Sequence, residues 1–135
     1  MAGTFKFELV SPERVRVSED AEQVVVPGSE GDFEVLAGHA PVLSTLRPGV
    51  LDITLPGGKT RKVFVKGGFC EVDSESLTVL TQQAVDLAEA SNTWAREELA
   101  VAETELAEAR DDESQRFAYE AVERLKALQG TLRAA

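Results

Sequence analysis

Fifteen residues, Pro27-Gly28-Ser29-Glu30-Gly31-Asp32-Phe33-Glu34-Val35-Leu36-Ala37-Gly38-His39-Ala40-Pro41, constrain this chain more than any other stretch. They contain three glycines, two prolines and the only histidine of the sequence. Proline sets φ and glycine admits positive φ, so a segment this rich in both adopts a particular shape. The β-branched run Val24-Val25-Val26 leads into it, and Pro27-Gly28 is expected to turn the chain there.

Up to Val85 the apolar residues recur with period two. Phe5, Phe7 and Leu9 alternate with Lys6 and Glu8, and Val15 and Val17 with Arg14 and Arg16. Val63 and Val65 flank Phe64, and Leu77, Val79 and Thr81 form a further alternating set. Such alternation describes strands with one face on a core. Pro56-Gly57-Gly58 reads as a hairpin loop, and turn signals recur near residues 11, 19, 28, 38, 48, 57, 67 and 74. That spacing predicts an antiparallel β-sandwich over residues 1–85.

After Val85 the period changes. Ala95, Leu99, Ala102, Leu106 and Ala109 fall on one face of a helix, and Phe117, Ala121, Leu125, Leu128 and Leu132 on one face of a second. Asp111-Asp112 breaks the pattern between them, Asp112 with Gln115 resembles a capping box, and Gly130 is a stop signal. Residues 86–135 therefore read as a two-helix hairpin domain with an alanine-rich seam. Alanine lets helices approach closely but buries little area, at roughly 25 cal/mol per Å². Such a hairpin should detach readily.

The formal net charge of −10 opposes nucleic acid and anionic lipid alike. No run approaches the roughly 20 apolar residues that span a bilayer, so direct membrane insertion is not expected. Met1-Ala2-Gly3-Thr4-Phe5-Lys6 lacks the apolar core of a secretory signal. The single cysteine, Cys70, has no intrachain partner and suits a reducing compartment.

Residues able to carry chemistry are few. With one His and one Cys, a metal site of several soft ligands is excluded, and no cofactor is implied. His39 is open to three readings: a hydrogen bonder that shapes its loop, a partner contact, or a general base. Gly57-Gly58-Lys59-Thr60 lacks the upstream glycine and spacer of a phosphate loop, so it and Gly67-Gly68 read as hairpin turn and β-bulge. Cys70 reads as a buried thiol, Trp94 as packing or a binding hot spot, and Ser91-Asn92-Thr93 as a helix start.

The run from Pro27 to Pro41 resembles the signature P-G-x-x-G…L-x-G-H-A-P of the rotary ATP synthase epsilon subunit family. The likeness continues through Leu46-Arg47-Pro48-Gly49-Val50-Leu51 and Gly67-Gly68-Phe69-Cys70-Glu71-Val72. The resemblance implies a non-catalytic central-stalk subunit without an active site of its own. It implies peripheral placement on the cytoplasmic side of the bacterial inner membrane within a proton-translocating F-type complex. The implied partners are the gamma subunit and the c-ring, with the alpha and beta subunits within reach of the C-terminal helices. By position, the ring contact maps onto Ser29, Glu30, Gly31, Asp32 and His39, where a stiff loop suits a torque-bearing role.

Many bacterial relatives insert the helical tail to inhibit ATP hydrolysis, and some bind ATP through an I/L-D-x-x-R-A motif. Here Val85-Asp86-Leu87-Ala88-Glu89-Ala90 has Glu89 at the arginine position, and the shifted register has Ser91. No basic residue lies between Val85 and Arg96, and residues 86–135 carry twelve Asp/Glu against six Lys/Arg. No nucleotide site is therefore expected, and inhibition against an acidic catalytic surface should be weak or absent.

Overall fold

A computed structural model of the chain describes residues 3–12 and 15–132, with the backbone alone at Val15 and Arg16. It divides into two compact units, Met1–Val85 and Asp86–Ala135.

Ten strands are described: β1 (Phe5–Val10), β2 (Val15–Ala21), β3 (Gln23–Gly28), β4 (Gly31–Leu36), β5 (Val42–Leu46), β6 (Gly49–Thr54), β7 (Thr60–Val65), β8 (Gly68–Val72), β9 (Ser76–Leu80) and β10 (Ala84–Asp86). They form one hydrogen-bonded sheet in the order β10-β7-β6-β3-β5-β8-β9-β1-β2, with β4 added to β3. The two halves of this order close on each other. Phe5, Phe7 and Leu9 of β1 share one core cluster with Leu51 and Ile53 of β6 and Val63 and Val65 of β7. Arg61 of β7 and Glu19 of β2, from the two flanks of the order, pair at 2.7 Å. The result is the expected sandwich, and each large core side chain contributes roughly 2 kcal/mol of burial.

Three local expectations need correction. β1 pairs with β9 in parallel, Lys6 opposite Ser76 through Val10 opposite Leu80, so the sheet is not purely antiparallel. The turn anticipated near residue 19 lies at Glu22, because β2 runs on to Ala21 and Glu22 N donates to Thr54 O at 2.8 Å. On β7, Phe64 is as buried as Val63 and Val65, so this strand is covered on both faces. The hairpin at Pro56-Gly57-Gly58 stands, with Gly57 and Gly58 at φ 91° and 84° and Thr54 opposite Thr60.

The second unit is a hairpin of α1 (Asn92–Glu108) and α2 (Asp112–Leu128). Ser91 caps α1, its hydroxyl accepting from Trp94 N at 3.2 Å. Ala95 and Ala102 of α1 are buried, as are Ala118, Ala121, Val122 and Leu125 of α2. Phe117 is not in the seam but 37% exposed. A spacing of four and four, from Phe117 to Ala121 to Leu125, drifts about 40° per step round a 3.6-residue helix, whereas 118, 121, 122 and 125 stay on one face. The Asn92 side chain ties the two ends of the hairpin. Its Nδ2 donates to Leu132 O at 3.1 Å and its Oδ1 accepts from Gly130 N at 3.0 Å.

The cap of α2 is Asp111, one residue before the expected capping box. Asp111 is extended, and its carboxylate accepts from Ser114 N at 2.7 Å, while Gln115 reaches Ala109 O instead of the cap. The Ser114 amide bond holds the Asp111 carboxyl below the usual carboxylate range. A depressed folded pKa contributes stability above the unfolded value of about 3.9, lost as pH falls through the folded value. Asp111→Ala should therefore lower the melting temperature of the helical signal at neutral pH, with the deficit shrinking below about pH 4. Asp111→Asn, which still accepts, should keep the cap at both. Circular-dichroism melts at the two pH values check this.

Candidate functional site

Pro27 and Gly28 continue β3 instead of ending it. The β3–β4 register runs from Val24 opposite Val35 to Pro27 opposite Asp32 and Gly28 opposite Gly31, so the chain reverses over Ser29-Glu30. Proline is tolerated because β3 changes neighbour around it. Residues 23–25 pair with β6 and Gly28 pairs with Leu46 of β5, so the missing N–H removes no ladder bond. Gly31, at φ 135°, supplies the backbone freedom the reversal needs.

Leu46 pairs on its other side with Gly68 of β8, so Gly28, Leu46 and Gly68 stand abreast. All three sequence segments that carry the family likeness meet there. The approach is close: a Cβ on Gly49 would lie 2.8 Å from Pro27 Cβ, and one on Gly28 would lie 3.0 Å from the Phe33 ring. Gly68, at φ 114°, has no room at all, since its Cβ would lie 2.0 Å from Leu80 O. Gly67-Gly68 is thus a bend into β8, with Gly67 O accepting from Thr81 Oγ1 at 2.8 Å, and not the expected bulge.

Side chains then fix the tip. Ser29 N donates to Thr45 O at 2.9 Å, and the Ser29 and Thr45 hydroxyls lie 2.7 Å apart. Arg47 N donates to Pro27 O at 3.0 Å, Arg47 Nε to Gly28 O at 3.2 Å, and Arg47 Nη2 pairs with the Asp32 carboxylate. Glu30 points to solvent at the apex.

Ser29, Glu30, Gly31 and Asp32 are brought together at the reversal, while His39 stands in the loop that follows β4. His39 N donates to Leu36 O at 3.1 Å, its Nδ1 donates to Ala40 O at 2.6 Å, and its ring centroid sits 6.4 Å from that of Phe33. Gly38 N donates to Ser74 O, docking this loop on the β8–β9 turn. The two His39 bonds lie within the loop itself, as a loop-shaping histidine requires.

Sequence reasoning missed an apolar outer face. Leu43 is 73% and Phe69 44% exposed, on adjacent strands in register with Glu71 and Thr45. Beside Phe69 opens a groove of about 420 Å³ lined by Val10, Pro12, Leu80 and Gln82. The available signal was inward packing of Val42, Ser44 and Leu46, which leaves Leu43 outside. Elsewhere, the Asp86 carboxylate accepts from Ala88 N at 2.9 Å, capping its own turn. Cys70 is fully buried, and desolvation pushes its thiol pKa up, which suits an inert role. Among the described residues no group of three or more His, Cys, Asp or Glu could hold a metal ion.

Residues 4–87 match the family model for the ATP synthase Delta/Epsilon chain β-sandwich domain. The chain is 44% identical over 132 residues to the ATP synthase epsilon chain of Parvibaculum lavamentivorans, covering 98% of this chain and all of that one. The chain belongs to the ATP synthase epsilon family. It is 53% identical over 110 residues to the epsilon chain of Rhodospirillum rubrum, covering 81% of each. Its fold is shared with a chain of the Euglena gracilis mitochondrial ATP synthase OSCP/F1/c-ring structure, at a TM-score of 0.72, 24% identity and coverage of 93% and 79%. A chain from the Tetrahymena thermophila mitochondrial central stalk and c-ring structure aligns at 0.61 and 14%, covering 93% and 96%. As an epsilon chain it is a subunit of a rotary ATP synthase. No helix among the described residues is long and apolar enough to cross a membrane.

The glycines separate two kinds of requirement. Gly68→Ala should destabilise the full epsilon chain by about 2–4 kcal/mol, from strain plus the Leu80 overlap. Gly57→Ala has only the positive φ against it, with nothing within 4 Å of the new Cβ, and should cost about 1 kcal/mol. Urea unfolding of both variants makes the comparison.

Proposed function

We propose that this epsilon subunit bridges the gamma subunit and the c-ring, and that residues 29–32 carry the ring contact. The convergence of β3, β5 and β8 beneath the tip carries this reading: a contact that transmits torque wastes work if it flexes, and this one is tethered to two neighbouring segments. His39 supports the same hairpin from the loop that follows β4 by holding the shape of residues 37–41. The apolar face of Leu43 and Phe69 is the surface offered to gamma, since large exposed apolar side chains mark interaction sites. In this reading the subunit has no active site and no nucleotide site of its own. It sits peripherally on the cytoplasmic side of the bacterial inner membrane and serves a proton-driven rotor.

The helical hairpin is a poor brake. Its excess of carboxylates opposes an acidic catalytic surface, and Glu89 or Ser91 stands where a nucleotide-binding tail needs arginine. Contact with the alpha and beta subunits is correspondingly weak.

Two measurements test these readings. Glu30→Cys should cross-link to the ring in membranes under mild oxidation when a ring-loop residue is also cysteine, and an exposed cysteine in the β6–β7 loop at Lys59 should not. Cross-linking from Lys59 alone would refute the tip assignment. Deleting residues 86–135 should leave assembly and ATP synthesis largely intact and raise ATP hydrolysis less than tenfold, equivalent to about 1.4 kcal/mol. A larger rise would show that this tail inserts despite its charge.

A further inference from the structure

The tip of the ring-facing hairpin is flanked by Gly28 and Gly31, and glycine loses more conformational freedom on ordering than any other residue. Such a turn is loose unless something outside it fixes it. Thr45 holds Ser29, and we propose that Arg47 holds the two strands on either side of the apex as the positioning residue of the ring-contact tip; this rests on the reading of residues 29–32 as the contact.

Arg47 lies in the short connection between β5 and β6, fifteen residues or more from the groups it holds. Its backbone N–H holds Pro27 O, its Nε holds Gly28 O on β3, and its Nη2 pairs with Asp32 on β4. One side chain therefore grips both strands of the hairpin on either side of the apex. Arginine suits this task because its donors are fixed in one planar fork, whereas a lysine ammonium is a single point charge on a flexible stem. Arg47 is held in turn, since Gly49 two residues on packs against Pro27. Pairing Asp32 has a second consequence. Glu30 makes no hydrogen bond or ion pair among the described residues, so it is the carboxylate the tip presents outward. Arg47 thus sets both the stiffness of the tip and its charge pattern without facing the partner itself.

Hydrogen exchange on the full chain reads the positioning directly. In Arg47→Ala, amides of residues 30–32 should exchange at least tenfold faster while residues 24–26 stay as in the unchanged chain. Arg47→Lys should be intermediate, and the swap Asp32→Arg with Arg47→Asp should recover part of the protection. In membranes, Arg47→Ala should lower proton pumping per ATP hydrolysed at an unchanged subunit content. Unaltered exchange at residues 30–32, or a rise spread evenly over β3 and β4, would overturn the proposal, the latter marking a merely structural residue. Faster exchange at the tip with pumping at the unchanged level would equally overturn it. Failure of the ring assignment itself is read separately, in the Glu30→Cys cross-link of a chain that keeps Arg47.

Discussion

Leu46 takes a strand neighbour on each side, Gly28 and Gly68, and both neighbours are glycines. Much of the β-unit's shape follows from that row. Strands β3 and β8 are brought within hydrogen-bonding distance of one short strand, β5, at the point where β3 leaves β6. Side chains at the flanking positions would push the strands apart: at Gly68 against the Leu80 carbonyl, at Gly49 against Pro27, at Gly28 against the Phe33 ring. The three Gly-bearing segments are separate in sequence and one object in space. The two-residue turn Ser29-Glu30 follows directly on that row.

The two units put their polar interactions to different uses. In the β-unit, Ser29, Asp32 and Arg47 convert a glycine-flanked turn into a fixed projection, and the core beneath is a continuous cluster drawn from most of the strands. In the helical unit, four of the six buried residues of α1 and α2 are alanines, so little apolar area holds the hairpin shut. The Asn92 amide, bonding across to Gly130 and Leu132, and the Asp111 cap supply specificity to a seam that has little depth. A stiff projection suits a part that transmits force. A shallow seam suits one that separates, although its charge makes it badly suited to lodging against an acidic partner.

Much of this was legible from residue order. Alternation at Phe5, Phe7 and Leu9 gave buried strand positions, the change of period after Val85 gave the hairpin, and Gly/Pro density marked the segments that matter. The failures are of two kinds. Phe117 and Asp112 were misplaced by a residue because helical spacing of four drifts and because two adjacent aspartates can each cap. Pro27-Gly28 was read as the turn itself because local pattern cannot reveal a change of neighbour, which depends on Leu46 eighteen residues later. The parallel pairing of β1 with β9 and the reach of Arg47 to Asp32 are long-range in the same sense. In sequence Arg47 is only a charged residue before a Pro-Gly turn. Leu43 and Phe69 escaped notice because exposed apolar residues on a strand look like core until the strand's inward face is known.

The central claim is that the end of the sandwich where β3, β5 and β8 converge is the end that meets the membrane rotor. A cryo-EM reconstruction of the whole synthase containing this subunit tests it most directly. The account predicts that residues 29–32 rest on the loops of the c-ring, with Arg47 paired to Asp32 behind them and Leu43 and Phe69 covered by gamma. A reconstruction with that tip free in solvent, or with the opposite end of the sandwich against the ring, would contradict it.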